Sequence, residues 1–196
     1  MIARRLSGMC AVALAAVVGC QQGPPKGMSM DEMMKPPPRP AELDRLGSLV
    51  GSWEGSGECK MAGQDKSITN KGSNTVTWDC DKRVLVERWE GEMGEGNKMH
   101  GIGVWTWDSE DKKYKIYWFD NFGGTGEGEA TYNDATRTWT MNSESEGPMG
   151  KTVGKGTIKM VDNNTMDYTW EEWNGWKTQK MMEMKGTSRR KAAVGG

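Results

Sequence analysis

Leu46 to Glu58, read as LGSLVGSWEGSGE, decides how this chain is built. An apolar turn carried by Leu43, Leu46, Leu49 and Val50 runs into Gly51-Ser52-Trp53, where a strand begins that Gly55 and Gly57 punctuate. The residues before this stretch have the character of a leader and a tether. The residues after it make a train of short strands that must close on the one begun by Trp53.

Apolar periodicity and turn residues place strands near 52–59, 67–78, 83–90, 100–107, 113–119, 124–132, 136–142, 151–161, 165–173 and 176–185. Alternation is clearest where Tyr114, Ile116 and Trp118 share one face, and where Met166, Tyr168 and Trp170 do. Trp173-Asn174-Gly175-Trp176 sets Asn-Gly between two aromatics, the strongest short hairpin signal. A repeat joins two other turns: Trp107-Asp108 with Lys112 and Tyr114, and Tyr132-Asn133 with Arg137 and Trp139. In each the Asx side chain is expected to cap the turn while the flanking aromatics staple its two strands. Ten consecutive antiparallel strands would leave exposed edges unless they close. The expected fold is therefore all-β, an up-and-down antiparallel barrel of about ten strands behind a short N-terminal helix. A two-sheet sandwich is the alternative.

At the N-terminus, Arg4-Arg5 precede a ten-residue apolar run, Met9 to Val18. As a helix this spans about 15 Å, half of a bilayer core, which suits a signal peptide. It ends in Val17-Val18-Gly19-Cys20, which resembles a bacterial lipobox in which Cys20 is lipidated and becomes the new N-terminus. By the same resemblance Gln21, in place of aspartate, favours the outer membrane. The expected organisation is a leader at 1–19, a lipidated cysteine with an extended Pro- and Met-rich tether at 20–40, the barrel at 41–191, and a tail at 192–196. Within the tether Met28, Met30, Met33 and Met34 form a thioether cluster of a kind that suits Cu(I), although a methionine-rich tether needs no metal.

Composition narrows the function. The net charge is −1, and −3 without the leader (24 basic against 27 acidic residues), so nothing drives nucleic-acid binding. From Gly51 onward there is one leucine, Leu85, against ten tryptophans and ten methionines. Such a core buries large rings whose polar tips need partners, and methionine suits interiors that re-pack around varied apolar shapes.

The LVGSWEGSGE run, the step Cys80-Asp81-Lys82-Arg83-Val84-Leu85-Val86-Glu87 and the Trp107 to Tyr114 hairpin resemble the bacterial domain of unknown function 1579. Gly51-x-Trp53 after a short helix also resembles the first-strand motif of calycins, the lipocalin superfamily. The resemblance covers about 41–191 and implies a calycin-like barrel, often exported, with no established activity. It also implies that a basic residue after the last strand, Arg189 or Arg190, packs on Trp53. Cys80 stands where the family's turn has glycine.

No nucleophile–base pair, metal-spaced ligand set or cofactor motif is present. The only histidine is His100, and carboxylates such as Glu87, Glu90, Glu127, Glu129, Glu171 and Glu172 are plentiful but unpatterned. The expectation is a non-enzymatic, membrane-anchored protein without cofactor that holds a small apolar or amphipathic ligand near Trp53, Trp89, Trp105 and Trp118, with Arg88 as a charged lumen residue. A barrel filled by its own side chains is the competing reading. Cys59 and Cys80 fall at opposite ends of the second strand, so both thiols are expected to be free.

Overall fold

The computed structural model describes residues 27, 29–94, 96–148 and 150–192. Cys20 and Met28 lie outside them, as do residues 1–19, where a leader is expected. The described residues fall into two units, one ending at Pro38 and one beginning at Arg39. The first holds a single helical turn, Met30–Met33, where an extended segment was expected. Ser29-x-x-Glu32 is a capping box: the Ser29 hydroxyl accepts from the Glu32 amide at 3.2 Å, and the Glu32 carboxylate accepts from the Ser29 amide at 2.9 Å.

In the second unit a 3-10 helix, Ala41–Leu49, leads into ten strands. They are β1 (Gly51–Met61), β2 (Ile68–Asp79), β3 (Val84–Met93), β4 (Lys98–Asp108), β5 (Lys113–Asp120), β6 (Thr125–Asn133), β7 (Thr138–Gly147), β8 (Gly150–Met160), β9 (Thr165–Asn174) and β10 (Lys180–Arg190). Each pairs antiparallel with its sequence neighbours, and β10 returns to β1, so the barrel is closed and the sandwich is excluded. In the register Trp53 stands between Asn74 of β2 and Arg190 of β10.

The repeat in the turns works as its spacing suggests. Asp108 Oδ1 accepts from the amides of Glu110 and Asp111, and Asn133 Oδ1 accepts from that of Thr136. Lys112 and Arg137 both take φ 53°, while the stapling rings meet at 4.8 Å (Trp107–Tyr114) and 4.6 Å (Tyr132–Trp139). The turn after Trp78-Asp79 has similar spacing but a different form: Asp79 Oδ1 accepts from the Cys80 amide, and Cys80, Asp81 and Lys82 take φ 47°, 55° and 60°, the left-handed conformation glycine adopts freely.

The last strand begins four residues later than expected. Asn174 Oδ1 accepts from the amides of Thr178 (2.9 Å) and Gln179 (3.3 Å), so Asn-Gly opens a five-residue loop instead of centring a two-residue turn. A register shift between Lys180 and Met182 then sends Lys180 outward, over the Trp173 ring, while Met182 and Met184 point inward.

One end of the barrel is sealed. Leu43, Leu46 and Leu49 recur every third residue, the period of a 3-10 helix, and all are buried on the end of the sheet. Three leucines removed from water contribute about 5–8 kcal/mol as an upper estimate. The Tyr114 hydroxyl donates to the Glu42 carbonyl (2.7 Å), and Trp53 Nε1 to that of Leu49 (2.9 Å), fastening helix to barrel. Arg190, not Arg189, covers Trp53, its guanidinium 4.1 Å from the ring centroid. Arg190 also donates to the carbonyls of Ser48 (3.2 Å), Val50 and Asn163 (3.0 Å).

Candidate functional site

Inward and outward faces are set by burial. Leu85, Trp105, Tyr114 and Trp139 are buried and lie in register with one another's strands, so Glu87 and Trp89 on β3, and Ile116 and Trp118 on β5, also face the lumen. Arg88 falls on the opposite parity, exposed beside Ile102 and Thr75. It is therefore not a lumen residue: on a strand of period two, Leu85 pointing inward obliges Arg88 to point out.

The four tryptophans divide between two halves of the lumen. Trp53 and Trp105 belong to the sealed half, 0 % and 3 % exposed. There Trp105 and Tyr114 both meet Trp139 edge-on, at 5.9 and 4.8 Å, and Met141, Met160 and Met166 complete the packing. This half is filled. Towards the other end, inward side chains become half-exposed: Trp89, Trp118, Tyr168, Trp170, Met182 and Met184. Solvent reaches them because that end carries no helix. Two aromatics stand exposed in its loops, Phe122 after β5 and Trp176 before β10.

The rings of the open half lie flat on glycines. A Cβ on Gly72 would come within 2.9 Å of the Trp89 ring, and one on Gly91 within 2.7 Å. Trp118 lies likewise on Gly101, and Trp170 on Gly154 and Gly156. Any side chain at these positions would collide with the ring, so glycine is what lets the tryptophan pack against the wall. Trp170 and Tyr168 join the site although sequence reasoning did not place them there; their alternation with Met166 was the legible signal.

Polar groups mark the boundary between the halves. Glu87 accepts from Asn74 Nδ2 (2.6 Å) and Trp105 Nε1 (3.2 Å). Burial pushes its carboxyl above the usual glutamate range, with the two hydrogen bonds opposing that rise. The buried Asn74 Oδ1, Ser143 hydroxyl and Trp139 Nε1 have no hydrogen-bond partner, whereas Asn70 lies against the Tyr168 hydroxyl. Turning the Asn74 amide over would let its oxygen accept from a protonated Glu87. Of the other carboxylates, Glu172 faces inward and accepts from the Thr152 hydroxyl. Glu129 and Glu171 form exposed ion pairs outside the barrel, of little energetic weight.

A separate groove of about 870 Å³ lies on the outer face of β10, β1, β2, β3 and β4. It tracks the row Gly55, Gly72, Gly91, which is in register across three strands. Glu54, Glu90 and Glu92 face Lys71, Lys98 and Arg189 there, with His100 at one side. Of the tether methionines, Met30, Met33 and Met34 are exposed. Cys59 is buried in the lumen and Cys80 exposed, both free; the twelve residues from Ile68, the partner of Cys59, to Cys80 put about 40 Å between them. Among the described residues no three His, Cys, Asp or Glu side chains group to hold a metal, and no helix is long and apolar enough to cross a membrane.

A ten-stranded up-and-down barrel closed at one end by a short helix is a calycin-like fold. The chain belongs to the DUF1579 family of proteins of unknown function, whose model matches residues 40–190. Among solved structures it is similar to Rv2717c from M. tuberculosis, with TM-score 0.61 and 13% identity over 79% of this chain and all of that one. It is also similar to the S-type phycobiliprotein lyase CPES from Guillardia theta, with TM-score 0.56 and 12% identity over 79% of this chain and 95% of that one. At these identities the likeness is one of fold. A search of curated proteins found no match.

Proposed function

We propose that the protein holds a small apolar or amphipathic molecule in the open half of the barrel without transforming it, on a chain tethered to the bacterial envelope through lipidated Cys20. The observation that carries this reading is the half-exposure of inward-facing Trp89, Trp118, Tyr168 and Trp170 above a floor packed solid by Trp53, Trp105 and Trp139. The rings lie close against glycines of the wall, and the unpartnered Asn74 oxygen and Ser143 hydroxyl suit a ligand with one hydrogen-bonding end. Titrating the protein with a long-chain fatty acid or a hydrophobic dye should saturably shift tryptophan emission and raise the melting temperature. Trp118→Ala should change the affinity, whereas no saturable response to any such probe overturns the reading in favour of a structural barrel. The anchoring part stands on the Val17 to Cys20 motif, and an outer-membrane address on Gln21. Cys20→Ser should release the protein from the membrane fraction; unchanged retention refutes anchoring at that residue.

A further inference from the structure

The sulfur chemistry of the lumen is concentrated at one place. Cys59 and Met61 alternate inward on β1, and β10 sets Met184 opposite Cys59 and Met182 opposite Met61. The square of four inward residues thus holds one thiol and three thioethers. Cys59 Sγ lies 3.8 Å from Met61 Sδ. Two sulfurs each about 2.3 Å from one metal ion, an ordinary metal–sulfur length, stand about 3.8 Å apart at a tetrahedral angle. Asn70 Nδ2 donates to Met184 Sδ (2.8 Å), which orients that thioether and leaves its second lone pair free. Asn70 is 3 % exposed, and its amide lies with the Tyr168 hydroxyl over Gly57 on the same inward wall, which holds it in place. Cys59 is fully buried, yet Met61, Met182 and Met184 are half-exposed towards the open end, so an ion has a path to the thiol.

We propose that Cys59, Met61 and Met184 form a binding site for a soft monovalent cation of the Cu(I) class, with Met182 beside it as a further thioether. Thiolate and thioether donors without imidazole or carboxylate select Cu(I) over Zn(II), Ca(II) or Mg(II). On binding, the S–H bond of Cys59 breaks, its proton leaves to solvent and the sulfur lone pair bonds the metal, with no change in oxidation state. Affinity therefore rises with pH below the thiol's own titration. This site is distinct from the tether methionines and does not depend on the apolar-ligand reading.

The test is anaerobic titration of the full chain, with Cys10, Cys20 and Cys80 replaced by serine, against a chromogenic Cu(I) chelator. One Cu(I) should be retained, with a thiolate-to-metal absorption band in the near ultraviolet and no retention of Zn(II). Cys59→Ser should abolish the band and retention. Met61→Leu and Met184→Leu conserve volume, so their fold is expected to persist. Each should weaken Cu(I) by at least about tenfold at an unchanged apo melting temperature. Leucine at Met28, Met30, Met33 and Met34 together should leave the band and affinity intact. The proposal is overturned by no retention, by retention that survives Cys59→Ser, or by retention lost only in the tether variant.

Discussion

Removing the Arg190 guanidinium tests how the sealed end is held. In Arg190→Met the ring of Trp53 loses a cation at 4.1 Å, a contact of about 1 kcal/mol at a half-buried site. Three carbonyls, on Ser48, Val50 and Asn163, lose a charged donor. Because the side chain is only half-buried, water replaces part of what is lost, so about 0.5–1 kcal/mol for each bond is appropriate. The sum is about 3 kcal/mol. For a domain of this size that lowers the melting temperature by about 6–12 °C. Arg190→Lys keeps a charge over the ring, but one ammonium cannot span three carbonyls, so about 2 kcal/mol should still be lost. Arg189 points outward and is exposed, and Arg189→Met should cost under about 0.5 kcal/mol. Urea and thermal denaturation monitored by tryptophan fluorescence measure all three variants. A loss below about 1 kcal/mol for Arg190→Met, or an equal loss for Arg189→Met, would refute the assignment of the closing contact.

Glu87→Gln should change the pH dependence of stability. Its folded carboxyl titrates above the ordinary 4.5, so the stability it allows is full below that value and is lost as pH rises through the folded one. Melting curves of variant and wild type should therefore diverge in the variant's favour from pH 4.5 upward, and parallel profiles would contradict a buried, uphill carboxylate. Cys80→Gly relieves a left-handed backbone at φ 47° and should stabilise by about 0.5–1 kcal/mol in urea melts, whereas destabilisation would mean that the thiol packs. Gly101→Ala puts a methyl against the Trp118 ring and the Phe119 carbonyl; it should cost about 1–3 kcal/mol and weaken a lumen probe. An unchanged probe affinity would remove Trp118 from the site.

The sequence by itself determined an all-β meander of ten strands, most of their boundaries to within two residues, and the stapled turns, because these are local, whereas closure of β10 on β1 is not. Alternation has a period of two, Asx caps act within three residues, and Leu43, Leu46 and Leu49 announce a turn that buries one face. The family resemblance also narrowed the closing residue to two neighbours, Arg189 and Arg190, which differ only in strand parity. Tertiary structure decided between them, and decided everything about the lumen. Large apolar residues occur on both faces of β3 and β5, where Val84 and Val86 oppose Leu85, and Tyr117 and Phe119 oppose Ile116 and Trp118, so composition could not say which face is inside; only the packing of Leu85 on Trp105 placed Glu87 in and Arg88 out. The bulge near Met182, which turned Lys180 outward, left no mark in the alternation. Nor could the distinction between a filled and an open half be read from residue types, since Trp53 and Trp118 are the same residue. It comes from a helix that covers one end of a closed sheet, and from glycines on neighbouring strands that let a ring lie flat at the other.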